Sequence, residues 1–336
     1  MNGLPPEVLG FITEHLSLSD RLNLRQVNRY LSYVTYPHVI HHISLLNTLW
    51  KIQDFASFLD TTRGTRIFTK KLTIYHARWP VCTREEWEVY PLLRYEIHPR
   101  ALIHAYSQSE KAVVQMYGSY KKLITAEQQR RASSDMALFR DILGRLPSLR
   151  TVVISHVRSR DWDARTPERY SLQKRIRMSP LFNDSTHPVA QNILAVLHSF
   201  PAIKELYIGG QLHLRHIDIP PKIPHITSLT IESLLVLNSS TTHLQQLVTA
   251  FPNLEHLSVG FAYPGGSLPL KTAGWEKLRT LELRKLSVAG DDLLHVIAAS
   301  RHLESVRLEK VTLCSGLWRD FLSEARIKSI SISFVE

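Results

Sequence analysis

From residue 146 onward one pattern, h-x-x-h-x-h with h an aliphatic side chain, returns seven times: LRTVVI from Leu149, IKELYI from Ile203, ITSLTI from Ile226, LEHLSV from Leu254, LRTLEL from Leu278, LESVRL from Leu303 and IKSISI from Ile327. Every h is Leu, Ile or Val. The h-x-h half of each window alternates with period two, which predicts a short strand with two apolar side chains on one face. Between the windows lie VAQNILAVLHSF, TTHLQQLVTAF, DDLLHVIAAS and SGLWRDFLSEA, whose apolar residues recur three and four apart and predict amphipathic helices. From Ile203 the windows start 23, 28, 24, 25 and 24 residues apart. One strand and one helix per interval, stacked in parallel, predict a solenoid. KKLTIYH, with Leu72 and Ile74, follows the helix-like SLLNTLWKIQDFASFL and reads as a degenerate first copy.

The N-terminal stretch LPPEVLGFITEHLSLSDRLNLRQVNRYL, residues 4–31, has a different texture. Pro5 and Pro6 suit the first turn of a helix, where an N–H would lack an intrahelical partner anyway. Val8, Phe11, Ile12 and Leu16 then recur at helical spacing. Ser19 and Asp20 are expected to cap a second helix, in which Leu24, Val27, Leu31 and Val34 repeat at three and four residues and Pro37 marks the end. Helices this short enclose little core by themselves, so a partner surface is expected.

Leu4, Pro5, Glu7 and Val8, then Ile12 and Leu16, then Asp20 followed by Val27, Asn28 and Arg29, resemble an F-box, the helical module that docks on the Skp adaptor of SCF-type ubiquitin ligases. Asp20-Arg21 stands where that family usually has Asp-Leu, and Asn28-Arg29-Tyr30-Leu31 where it often has Ser-Arg-x-Trp. The repeat period resembles that of leucine-rich repeats, in the irregular subclass that commonly follows an F-box. Three residues past the third h, where Asn or Cys is usual, stand Val157, Gln211, Leu234, Ala262, Leu286 and Val311. The expected fold is therefore α/β, a leucine-rich-repeat horseshoe solenoid with an N-terminal helical F-box. Residues 1–44 would be the F-box. Residues 45–131 would hold the degenerate repeat and a helical linker rich in aromatics (Trp79, Trp87, Tyr90, Tyr95, Tyr106, Tyr117, Tyr120), and 132–336 the repeats, with a polar basic insertion at 156–188. The resemblance implies a substrate-recognition subunit that bridges the Skp adaptor and cullin scaffold to an unknown protein substrate. Leu4, Pro5, Glu7, Val8, Ile12, Leu16, Val27 and Leu31 would be its adaptor contacts.

A formal net charge of +11 raises a nucleic-acid reading, which depends on where the charge lies. Its densest cluster, Arg158, Arg160, Arg165, Arg169, Lys174, Arg175 and Arg177, falls in the insertion and suits solvated surface or pairing with an acidic or phosphorylated partner. The strand positions facing away from the core are mixed and slightly acidic, which disfavours a nucleic-acid track. Among them Tyr207, Glu232, His256, Glu282, Arg284 and Arg307 are the candidate substrate-binding residues, because aromatic and Arg side chains most often anchor interfaces. Cys82 and Cys314 are the only cysteines, enough for neither a disulfide framework nor a zinc site.

No phosphate-cradling loop, His-Glu-x-x-His or nucleophile elbow occurs, and neither His41-His42 nor His213 with His216 has the neighbours of a metal site. No catalytic residue, cofactor or metal is expected, and the chain is not expected to be an enzyme. It has no apolar run of membrane-spanning length and no signal-peptide start. The expected location is thus cytoplasm or nucleus, with no membrane partner and the sequons at Asn183 and Asn238 unmodified. The alternatives are an F-box scaffold without a ubiquitylation role and a nucleic-acid-binding repeat protein.

Overall fold

The computed structural model describes residues 4–94, 109–157, 176, 178, 180–181, 187–214, 218, 222–236, 241–264, 266–272 and 274–335. Three helices open it: α1 (Pro6–His15), α2 (Leu18–Val27) and α3 (Arg29–Ile40). Ser17, rather than Ser19 or Asp20, caps α2. Its hydroxyl accepts the Asp20 N–H at 3.2 Å and donates to the Asp20 carboxylate at 2.6 Å. Asn28 divides what the periodicity predicts as one helix. Its backbone is extended (φ −162°, ψ 170°) and its side-chain oxygen accepts the Leu31 N–H at 2.8 Å, so a new helix begins there. Pro37 lies inside α3 instead of ending it; the stop signal yields to the packing of Leu31 and Thr35, both buried where α3 meets α1 and α2. Arg21 ties the three together, donating to the carbonyls of Thr13, Glu14 and His38 at 2.8, 2.8 and 3.1 Å. The first two carbonyls belong to the last turn of α1, whose C=O groups have no partner within the helix.

Behind this module lies a nine-stranded sheet. Its strands are β1 (His42–Leu46), β2 (Lys71–His76), β3 (Thr151–His156), β4 (Glu205–His213), β5 (Ser228–Leu235), β6 (His256–Phe261), β8 (Thr280–Arg284), β10 (Ser305–Glu309) and β12 (Ser331–Val335). All pair in parallel, in that spatial order. A second sheet of β7 (Gly266–Ser267), β9 (Leu286–Ala289) and β11 (Thr312–Ser315) lies alongside. Left-handed backbone at Lys285 (φ 56°) and Lys310 (φ 51°) turns the chain from one sheet to the other. The crossovers carry α4 (Leu49–Thr61), α5 (Arg63–Phe68), α6 (Arg84–Arg94), α7 (Glu110–Gln129), α8 (Ala132–Gly144), α9 (His187–Leu197), α10 (Thr241–Ala250), α11 (Gly290–Ala299) and α12 (Trp318–Ile327).

The fold is thus α/β with a central nine-stranded parallel sheet flanked by helices, which corrects the expectation of a leucine-rich-repeat horseshoe solenoid. The sheet begins at β1, directly after α3 and across residue 44, where the helical module was expected to end. One hydrophobic core runs from Leu45 to Ile330. The crossovers are unequal: the one from β2 to β3 alone holds α6, α7 and α8. An h-x-x-h-x-h window specifies a strand that buries one face and the corner leading into it. Any parallel strand covered by helices satisfies that demand. A regular coil needs in addition a hydrogen-bonding side chain at each turn, and Val157, Leu234, Ala262, Leu286 and Val311 supply none.

The strands themselves lie where the windows predict. Their aliphatic positions from Leu149 to Leu308 are all buried, Leu303 being the most open at 7 %. The last window is out of register: Ser305 pairs with Ser331, not Ser329, and Ile327, 76 % exposed, ends α12 instead of opening a strand. A slip of two residues keeps the same side chains on the same face. The aromatic stretch forms a second core, in which Trp79, Trp87 and Tyr120 are buried with Val157, Ile176 and Met178. There the Trp87 ring N–H donates to the Ile176 carbonyl at 3.0 Å. Tyr95, Tyr106, His216, Asn183, Asn238 and the basic cluster Arg158–Arg177 lie outside the described residues.

Candidate functional site

Because the strands pair in step, residues pointing away from the core line up in rows across the sheet. The middle row runs Thr73, Val153, Tyr207, Thr230, Ser258, Glu282 and Arg307. Toward the strand starts lie Lys71, Thr151, Glu205, Ser228, His256, Thr280 and Ser305. Toward the strand ends lie Gly260, Arg284 and Glu309.

Five of the six predicted substrate contacts fall into two clusters on this face. In the first, Tyr207 donates its hydroxyl to one Glu232 carboxylate oxygen, while the other accepts the Gly210 N–H at 3.0 Å. Paired bulges make this possible. The register shifts after Ile208 in β4 and after Ile231 in β5, and Gly210 adopts φ 75°, which a side chain resists. A Cβ at Gly210 would also strike the His156 ring, and one at Gly260 would strike the Glu232 carbonyl. In the second cluster, Ser258 donates to Glu282 at 2.8 Å, Arg307 lies 3.5 Å from the same carboxylate, and Arg284 reaches Ser258 at 3.5 Å. The sixth, His256, is exposed at the strand starts, its Nδ1 2.8 Å from the Thr280 hydroxyl. These groups are tied to one another over a broad, open face. Such an arrangement suits recognition by shape and hydrogen bonding more than proton transfer at one point.

The other surface is the N-terminal module. Leu4, Val8, Ile12 and Val27 are 38, 43, 37 and 66 % exposed; Pro5 and Glu7 are exposed as well and Leu16 is half-buried. Leu31 is different. At 1 % exposure it is part of the packing between the helices, so the expectation that it touches an adaptor is corrected. Phe11 (65 %) and Tyr33 (81 %) are more open than most predicted contacts. Phe11 was legible from its place in the α1 stripe, with its ring edge-on to His15 at 4.8 Å. Tyr33 carried no such signal, because its outward direction depends on where Asn28 restarts the helix.

Among the described residues no group of His, Cys, Asp and Glu could hold a metal ion, and no helix is long and apolar enough to cross a membrane. His41 and His42, where α3 meets β1, are both held below their ordinary 6.5 by burial and then by the neighbouring Lys70 and Lys71 respectively. Burial pushes the Cys82 thiol up, beside the Tyr120 hydroxyl at 3.1 Å. No protein-family model and no curated protein matches the chain.

Proposed function

We propose that the chain is a substrate-recognition subunit of an SCF-type ubiquitin ligase, which docks the Skp adaptor through α1–α3 and gathers a protein substrate on the outer face of the sheet. The observation that carries this reading is the apolar surface of the helical module. Val8, Phe11, Ile12, Val27 and Tyr33 are 37 to 81 % exposed within a short segment, although the module has a core of its own in Leu9, Thr13, Leu31 and Thr35. Clustered apolar side chains left in water mark an interaction surface more often than a stable free one. The sheet face supplies the second half of the task. Its half-buried Tyr207, Glu282 and Arg284, with exposed Arg307, are side chains of the kind that form interface anchors. The chain's own role is then proximity, which raises the effective concentration of substrate near the conjugating enzyme.

The test is capture of purified chain by purified Skp adaptor. Val8→Glu with Ile12→Glu is expected to abolish capture while the melt stays near wild type, since changes at exposed positions alter stability by roughly 0.5 kcal/mol or less. Wild-type capture by the double variant would reject the module as the adaptor interface. For the substrate face, the triple variant Tyr207→Ala, Arg284→Ala, Arg307→Ala is expected to keep adaptor capture and lose proximity-labelled substrates.

A further inference from the structure

Asn47 directly follows β1 and His76 ends β2, so both stand at the carboxyl edge of the sheet, where parallel α/β sheets generally receive ligands. They face a cavity of about 670 Å³, within the range that encloses small organic groups. Along its wall runs a continuous hydrogen-bond chain. Asn192 donates to Asp135 at 3.4 Å, Arg130 donates to Asp135 and to the Asn47 side-chain oxygen at 2.6 Å each, and Asn47 Nδ2 lies 3.3 Å from His76 Nδ1. Glu127 accepts from Arg130 at 3.0 Å and, with its other oxygen, from the Leu49 N–H at the start of α4 at 2.8 Å. Asn47, Asp135 and Asn192 are 4, 8 and 4 % exposed. A polar network this deep is tolerable because its members satisfy one another, and it presents a pre-organised wall.

Charge selects the class of ligand. Arg130 sits between Glu127 and Asp135, and exposed Arg78 brings the Lys, Arg, Asp and Glu charges of the lining to zero among the described residues. An ion entering would lose hydration and meet a wall whose described Lys, Arg, Asp and Glu charges sum to zero. A neutral polar group would not suffer that loss. Gln128 and Gln191 also line the cavity, and among the described residues neither bonds its side-chain amide to the protein. Trp79 and Ile124 supply apolar wall beside them.

We infer that this cavity binds an uncharged planar amide edge, a carboxamide carried on an apolar body. The donor and acceptor of that edge pair with Gln128 and Gln191 while the body lies against Trp79 and Ile124. A carboxamide has two sources, a free small molecule or a glutamine side chain of a partner protein.

Benzamide, benzoate and benzamidinium share one shape and differ in charge, so titrating each into the full chain by saturation-transfer NMR isolates the claim. Benzamide is expected to bind at about 1 mM, as its size allows, and at least about tenfold tighter than either ion. N-acetylglutamine methylamide serves as the peptide arm, and whichever of the two amides binds tighter identifies the source. Gln128→Leu, at an exposed position, and Gln191→Leu, at a half-buried one, are each expected to weaken benzamide about tenfold without lowering the melt. Equal binding of the three isosteres, no benzamide binding at about 20 mM, or wild-type binding by both Gln variants would overturn the proposal.

Discussion

Leu257 shows how far a single residue could be read. Its place in LEHLSV marks it as core, and it is 3 % exposed between neighbouring strands. Leu257→Ala is expected to cost about 2–5 kcal/mol, measured by urea denaturation; a loss below about 0.5 kcal/mol would contradict its burial. The bulge residues were not legible in the same way. Gly209, Gly210 and Glu232 directly follow windows that look like their neighbours, and only the close approach of β3 to β4 and of β5 to β6 reveals why glycine is required at Gly210 and Gly260. His225 carries a residue-scale prediction of pH dependence. Burial first, and then Lys204, hold it below its ordinary 6.5, and its Nε2 is buried without a partner. The folded form therefore disfavours the proton. The stability His225 contributes is complete above about pH 6.5 and is lost as pH falls through its lowered folded value. His225→Asn is expected to make the melting temperature less sensitive between pH 7 and pH 5; an unchanged slope would remove His225 as a source of acid sensitivity.

At the scale of elements, strands and crossover helices were legible because each carries a period, two or 3.6, that packing on one core enforces. Boundaries were less so. Leu24, Val27, Leu31 and Val34 keep a helical period across Asn28 although the backbone there is extended; of the four only Leu31 is buried and Val27 is 66 % exposed, so the spacing is not that of one buried face. The cap decides the matter, and its signal is a single side-chain hydrogen bond. Asn28→Ala is expected to cost about 1 kcal/mol, the usual loss for an N-cap, seen as a lower melting temperature; Asn28→Asp should recover most of it. Arg21 tells a similar story. Nothing in its neighbours announces that it will close the end of α1, and its three carbonyl bonds arise only once α1 and α3 lie beside α2.

For the whole molecule, the class α/β followed from strand windows alternating with helical runs, whereas the assembly did not. Seven similar windows suggested stacked repeat units, yet among the described residues the crossover from β2 to β3 carries three helices, and the sheet opens with β1 directly after the helical module. What unites these strands is the shared core from Leu45 to Ile330, a property of the assembled sheet that no local period encodes. The candidate surfaces divide likewise. The outward strand positions follow from the alternation of side chains, while the pairing of Tyr207 with Glu232 and of Arg307 with Glu282 depends on bulges and register.

The central claim is that the apolar side of α1–α3 is covered by the Skp adaptor, and hydroxyl-radical footprinting of the full chain with and without adaptor reads that coverage side chain by side chain. Adaptor is expected to lower oxidation of Val8, Phe11 and Ile12 by about threefold or more, as burial in an interface excludes water, and to leave Tyr207 and His256 unchanged. Unaltered oxidation across α1 at saturating adaptor, or protection confined to the sheet face, would contradict it.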